Sequence, residues 1–226
     1  MYASGSTWLF NAARDVASRL YPQEIVAGHY AEGMEVLNNL PAVLNVVKTH
    51  QLGRTEARFL EARAERILVS VRDPRDAVTS LMQHMGQSFL QALHFVENSG
   101  HFAGRHAGDA RAELFRYESG FTDSEAIFDH LAAAFGGALA PEARQALFAA
   151  TRRAKIEEKI SRLEDLPTSW RNPANGDVVD RDTQWHRHHA GRSGESGRWH
   201  RLLPREGVAL IERRMAGFMK EFGYSG

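Results

Sequence analysis

Residues 67–76 read ILVSVRDPRD, and this stretch decides the fold. Its first half, residues 67–71, is apolar apart from one serine, which is typical of a short buried strand. Pro74 then stands where a helix begins, because proline is favoured at the first helical position. Arg72 lies between the strand and the helix, where α/β proteins bind phosphate at the carboxyl ends of their strands. The stretch therefore predicts an α/β fold with an anion site after this strand.

A second phosphate-handling stretch lies at the start of the chain and consists of Ser4, Gly5, Ser6, Thr7 and Trp8. A small polar loop with glycine at the start of a helix presents backbone N–H groups to an anion. The apolar spacing that follows predicts a helix over residues 7–20. Two phosphate sites so far apart in sequence indicate a nucleotide phosphorylated at two separated positions rather than a triphosphate.

The remaining pattern alternates strands and helices. Residues 43–47 are a β-branched run that predicts a buried strand ending at Lys48, Thr49 and His50, and residues 113–117 predict another strand. Residues 171–198 are rich in glycine and polar residues and are interpreted as a long loop. Residues 204–222 predict one terminal amphipathic helix. The expected fold is one α/β domain, similar to P-loop NTPases, with a mostly parallel central sheet flanked by helices.

Length and composition limit the function classes. The chain has 226 residues, which suffices for one α/β domain with a sizeable core. Its formal net charge is zero, which argues against a general nucleic-acid or membrane-surface binder. It contains no cysteine, which excludes disulfides, thiolate catalysis and cysteine-type zinc sites. No stretch is apolar enough to span a bilayer and no signal-peptide pattern is visible, so we expect a cytoplasmic protein.

Several segments, in one order along the chain, resemble motifs of the PAPS-dependent sulfotransferases. The first nine residues, MYASGSTWL, are similar to the family's Y-P-K-S-G-T-T-W-L loop, and Lys48-Thr49-His50 resembles its K-T-H segment. Residues 71–80 are similar to the R-N-P-(K/R)-D-x-x-x-S motif. Tyr117-Glu118 resembles the Y-E-D segment, and residues 192–200 resemble the terminal R-K-G-x-x-G-D-W-K loop.

The resemblance implies a sulfotransferase that moves a sulfuryl group from 3′-phosphoadenosine 5′-phosphosulfate (PAPS) to a hydroxyl or amine, without a metal. The acceptor would be a small molecule, a glycan or a lipid. His50 would be the general base. The cofactor-binding residues that the resemblance implies are Ser4, Gly5, Ser6, Thr7, Trp8, Arg72, Ser80, Tyr117, Arg192, Ser193 and Gly194. Of these, the residues from Ser4 to Thr7 would hold the 5′-phosphate, Trp8 the adenine, and Arg72, Ser80 and the residues from Arg192 to Gly194 the 3′-phosphate.

The sequence departs from the family pattern at Ala3, where many members have a lysine that contacts the leaving phosphate. We expect Lys48 to supply this charge, since it lies two residues before His50 and shares its side of an extended strand. His200 likewise stands where the family has lysine, and the strand that normally precedes the phosphate loop is expected to be missing from this 1–226 domain.

Two alternatives stay open. The alanine at position 3 is the feature that favours a protein that binds the desulfated product, PAP, and has lost catalysis. A P-loop phosphotransferase resembling a kinase is the other alternative. The Gly-Lys-Ser/Thr element that holds β- and γ-phosphates with Mg²⁺ is missing from the sequence, which argues against that reading.

Overall fold

The computed structural model describes residues 1–30, 44–51, 53–173, 176–190 and 195–224. The helices that it shows are α1 (Ser6–Leu20), α2 (Arg54–Arg63), α3 (Pro74–Met85), α4 (Phe89–Gly104), α5 (Ile127–Ala134), α6 (Pro141–Thr151), α7 (Arg153–Ser161), α8 (Trp199–Leu202), α9 (Arg205–Arg214) and α10 (Ala216–Glu221). The strands are β1 (Val26–Tyr30), β2 (Leu44–Lys48), β3 (Ile67–Val71), β4 (Ala112–Arg116), β5 (Ser169–Arg171) and β6 (Val178–Asp180).

The chain divides into two compact units. The first unit comprises Met1–Ser6, Ala64–Ser119 and Gly191–Gly226, and the second comprises Thr7–Arg63 and Gly120–Ala190. In the first unit β3 pairs with β4 in parallel. In the second unit β1 pairs with β2 in parallel and β5 pairs with β6 antiparallel. The fold is thus α/β with parallel strand pairs, while the expectation of one domain over residues 1–226 stays a prediction.

The first unit is built around the β3–α3 connection. Asp73 accepts a hydrogen bond from the Arg75 backbone N–H at 2.9 Å, so it caps α3, and Pro74 occupies the first turn. The helix ends at Gly86, whose φ of +62° is left-handed. Apolar side chains of β3, α3, α4 and the segment from α9 through α10 form one buried cluster, which includes Val71, Val78, Leu93, Val96, Ile211 and Met215. This packing fixes the residue that follows β3, which is Arg72.

The second unit packs around the first turns of α1. Trp8 is buried, its ring lies 5.9 Å from that of Phe121 and 6.0 Å from that of Phe128, and its Nε1 donates to the Thr151 carbonyl at 3.1 Å. Ala12 and Val16, one and two turns later, are fully buried. The buried face of α1 therefore anchors the start of this helix, where Thr7 stands.

The predicted bounds of β3 and the predicted start of α3 at Pro74 are confirmed, and β2 ends at Lys48 as expected. The interpretation of residues 171–198 as a long loop is wrong, because β6 lies within this range and pairs with β5. The predicted single terminal helix is also wrong, since Met215, with φ of −110°, separates α9 from α10. No helix in the described part of the chain is long and apolar enough to cross a membrane.

Candidate functional site

Arg72 is a buried guanidinium at the carboxyl end of β3. Its Nη1 donates to the Ala3 carbonyl at 3.1 Å and its Nη2 donates to the Glu195 carbonyl at 2.9 Å. Its Nε is buried and has no hydrogen-bond partner among the described residues. Among the described residues, no carboxylate forms an ion pair with Arg72. A buried cation with an unsatisfied donor is costly unless an anion joins it, so Arg72 has the properties of a ligand-binding residue.

Arg75, three residues later, has a different environment. Its guanidinium contacts the carboxylate of Asp73 at 2.7 Å and that of Glu212 at 2.9 Å, and it donates to the Tyr224 carbonyl at 3.0 Å. It also lies 4.1 Å from the centre of the Trp199 ring. Arg75 is therefore a structural cation whose charge is compensated, whereas no carboxylate of the described residues compensates Arg72.

Asp76 organises the segment that follows residue 194. Its carboxylate accepts from the backbone N–H of Gly197 at 2.5 Å and from that of Trp199 at 3.1 Å. The carboxylate thus caps the start of α8 and fixes the chain at 195–199, which includes the carbonyl of Glu195 that Arg72 contacts. Sequence reasoning missed this role of Asp76. The predicted ligand residues Arg192, Ser193 and Gly194 lie outside the described residues.

Tyr117 lies beneath the guanidinium of Arg72, with 4.3 Å from the Arg72 Cζ to the centre of the ring. The next residue, Glu118, accepts from the Asp73 backbone N–H at 2.9 Å and from the Tyr224 hydroxyl at 2.9 Å. Ser80 is partly exposed on α3, one helical turn after Asp76. The first unit thus brings Arg72 and Tyr117 together, whereas the ligand role of Ser80 stays a prediction.

The N-terminal loop contains two residues in the left-handed backbone region. Ala3 has φ of +55° and Gly5 has φ of +79°. A non-glycine residue at such a φ is uncommon and is enriched at ligand sites. The hydroxyl of Ser4 is buried, donates to the Met1 carbonyl at 2.6 Å and lies 2.8 Å from the Ser70 hydroxyl. These contacts hold the loop at the start of α1, where Ser6 is the first helical residue.

Lys48 is buried in the second unit at the end of β2. Its Nζ donates to the Thr7 hydroxyl oxygen at 2.6 Å and lies 5.1 Å from the centre of the Tyr30 ring. Thr7 stands at the second position of α1, where the backbone N–H groups of a helix favour an anion. The structure therefore brings the Lys48 ammonium to Thr7, the last residue of the predicted phosphate loop. That Lys48 replaces the charge of the lysine missing at Ala3 stays a prediction.

His50 is buried two residues after Lys48. Its Nδ1 lies 3.3 Å from the Tyr30 hydroxyl, and the two rings meet edge to face. Burial lowers the pKa of the His50 imidazole well below its usual value, and the charge of Lys48 lowers it further. A histidine with a lowered pKa is neutral at pH 7, which is the state that accepts a proton.

Sequence reasoning missed His189 as a site residue. Its Nε2 lies 3.2 Å from the Thr7 hydroxyl oxygen, and its Nδ1 accepts from the His186 backbone N–H at 3.2 Å. The density of histidines at residues 186–189 is the only local signal in the sequence for this contact. Among the described residues, no group of three potential ligands is arranged to hold a metal ion.

Known structures share this fold. Mouse sulfotransferase SULT7A1 complexed with PAP matches with a TM-score of 0.64 and 14% identity, covering 96% of this chain and 80% of that chain. Retinol dehydratase in complex with androsterone and the inactive cofactor PAP matches with a TM-score of 0.53 and 18% identity, covering 82% of this chain and 56% of that chain. No family model and no curated protein sequence matches. The chain has the sulfotransferase fold, as the sequence motifs predicted.

Proposed function

We propose that the protein is a sulfotransferase that binds PAPS and transfers its sulfuryl group to a hydroxyl or amine of a small-molecule acceptor. The observation that carries the proposal is the buried guanidinium of Arg72, which lacks a carboxylate among the described residues and keeps Nε unpaired. A phosphate would compensate the positive charge of this guanidinium and would accept a hydrogen bond from Nε. PAP is bound in two structures that share this fold.

Two sets of residues would bind the two anionic ends of PAPS. Arg72 would bind the 3′-phosphate, while Tyr117 keeps the plane of the guanidinium fixed. The loop from Ser4 to Thr7 would hold the 5′-phosphate through the backbone N–H groups that begin α1. Lys48, whose Nζ lies 2.6 Å from the Thr7 hydroxyl oxygen, would add a positive charge at this end.

The proposed transfer step assigns one role to each of these groups. The acceptor oxygen or nitrogen attacks sulfur as the bond from sulfur to the bridging phosphate oxygen breaks, and neutral His50 takes the proton that the acceptor loses. The departing phosphate gains negative charge, which the Lys48 ammonium and the start of α1 stabilise. The chain's own contribution is position and charge, which dominate catalysis of transfers with a phosphate leaving group.

A second candidate function is binding of PAP without transfer. Ala3 supports it, because the family's lysine at this position contacts the leaving group, and Lys48 would have to replace that lysine.

The acceptor class is proposed from the structures that share this fold, one of which holds androsterone, a steroid alcohol. We therefore expect small alcohols to be better acceptors than glycans.

Two measurements on one preparation test the proposal. Calorimetric titration with PAP, and with ATP plus Mg²⁺ as comparator, measures cofactor preference, and PAP release from PAPS in the presence of small alcohols measures transfer. Binding of PAP with release that depends on the acceptor supports the sulfotransferase. PAP binding without release supports the second candidate, and preference for ATP with Mg²⁺ refutes both.

A further inference from the structure

We infer that His189 is a positioning residue that orients the Thr7 hydroxyl toward the 5′-phosphate of the cofactor. The inference rests on the proposed function and adds to it a residue from outside the recognised motifs. Its basis is three contacts within the second unit. The His186 backbone contacts the His189 ring, the His189 ring contacts the Thr7 hydroxyl, and the Lys48 ammonium contacts the same hydroxyl.

The first contact defines the protonation of His189. The backbone N–H of His186 can only donate, and it points at His189 Nδ1 from 3.2 Å. Nδ1 is therefore the acceptor nitrogen of a neutral ring, so the proton of that ring is on Nε2. Residues 187–190 form a short 3₁₀ helix, and the His189 ring meets that of Trp185 edge to face at 5.2 Å. These contacts fix the ring and its tautomer together.

The second and third contacts define the role of the Thr7 hydroxyl. His189 Nε2 donates to the Thr7 oxygen at 3.2 Å, and Lys48 Nζ donates to the same oxygen at 2.6 Å. A hydroxyl has two acceptor lone pairs and one proton to donate. Both lone pairs are then occupied, and the described residues hold no further partner for this hydroxyl. The Thr7 proton is left as a donor at the start of α1.

This arrangement changes what Thr7 offers to an anion. Without His189, the threonine could turn its remaining lone pair toward the phosphate and repel it. With His189 in place, the hydroxyl presents its proton, and a hydrogen bond to a charged oxygen is stronger than one between neutral groups. Lys48 and His189 thus convert one threonine into a directed donor at a loop where Ala3 supplies no cation.

The test uses PAP and adenosine 3′-monophosphate, which lacks the 5′-phosphate, as probes in calorimetry. We expect His189→Ala to weaken PAP roughly three- to tenfold and Thr7→Val roughly ten- to a hundredfold, while adenosine 3′-monophosphate binds all variants equally. His189→Gln keeps an N–H donor and should restore most of the PAP affinity. His130→Ala, an exposed histidine of the same unit, should bind as the wild type does.

A double-mutant cycle separates positioning from a structural role. In the Thr7→Val background, His189→Ala should cost nothing further for PAP, because its effect passes through the threonine hydroxyl. Additive effects, or equal weakening of both nucleotides, would overturn the inference while leaving the proposed function intact. A wild-type protein that binds neither nucleotide would overturn the proposed function and this inference with it.

Discussion

The guanidinium of Arg72 lies 4.3 Å from the centre of the Tyr117 ring, and the two residues follow the ends of the paired strands β3 and β4. The ring covers one face of the guanidinium, and the N–H groups, which lie in the plane of the guanidinium, donate from its edge. Two of its five N–H donors end on main-chain carbonyls, and Nε has no partner among the described residues. This relationship supports the proposed anion site after the two strands.

The first prediction concerns the 3′-phosphate. Arg72→Ala should weaken PAP by about 1.5–3 kcal/mol, since a hydrogen bond to a charged group is lost, and should weaken adenosine 5′-phosphosulfate, which has no 3′-phosphate, much less. Calorimetry measures both. Arg213→Ala removes an exposed arginine of the same unit and should change neither affinity. Equal loss for both ligands would assign Arg72 to a different group.

The second prediction concerns His50 and the fall of kcat/KM at acidic pH. Because burial and Lys48 lower the pKa of His50 well below 6.5, the base stays neutral at pH 7 and kcat/KM should fall only at more acidic pH. His50→Ala should lower kcat by about two to four orders of magnitude and leave PAP affinity nearly intact. His101→Ala, at an exposed position, serves as the control. Near-normal turnover by the folded His50→Ala variant would exclude His50 as the general base.

The lowered pKa of His50 also predicts how the free energy of unfolding depends on pH. The folded pKa of His50 is below its unfolded value near 6.5, so the unfolded chain binds more protons as the pH falls. The contribution of His50 to the free energy of unfolding is therefore complete above pH 6.5 and decreases as the pH falls through the folded pKa. Denaturant unfolding at several pH values should show a shallower acid decrease for His50→Gln than for the wild type, and identical slopes would contradict the assignment.

The third prediction concerns the charge on the leaving group. Lys48→Met keeps the apolar stem but removes the ammonium that contacts Thr7, so transfer should be lost more completely than PAP binding is weakened. The separate measurement of kcat and of PAP affinity checks this. Lys220→Met, at an exposed position, is the control. A variant that loses affinity and turnover in the same proportion would show that Lys48 acts in binding alone.

The fourth prediction concerns the family lysine. Ala3→Lys should raise turnover, because it restores a point charge beside the phosphate loop. Ala3 already carries a Cβ at a φ of +55°, so a longer side chain adds little backbone strain. Ala3→Met, of similar length and without charge, should leave turnover unchanged. If both variants behave alike, the gain does not come from charge.

The ends of β2 and β3 could be predicted from the sequence, whereas β1 and the break between α9 and α10 could not. Val71 and Lys48 end strands that are dense in β-branched residues, so the pattern is local and strong. β1 was missed because its sequence, VAGHY, contains a glycine and a histidine and is half-buried throughout. The break at Met215 was missed because apolar spacing continues across it, as buried Ile211 and Phe218 on either side show.

The motifs predict the identities of the candidate site residues, but they do not predict the contacts of those residues. The sequence RDPRD contains two arginines, and only the distances to Asp73 and Glu212 show that Arg75 is compensated while Arg72 is not. The contact of His189 with Thr7 joins residues 182 positions apart. A pairing over that separation depends on tertiary packing, which no local pattern encodes.

The most direct measurement of the central claim is the rate of PAP formation from PAPS by the purified protein with a panel of small alcohols and amines, with the His50→Ala variant as blank. The account predicts PAP formation that requires an acceptor, proceeds without added metal and falls to the blank in the variant. PAP formation at the blank rate with every acceptor, from a protein that binds PAP, would contradict the sulfotransferase and leave a nucleotide-binding protein.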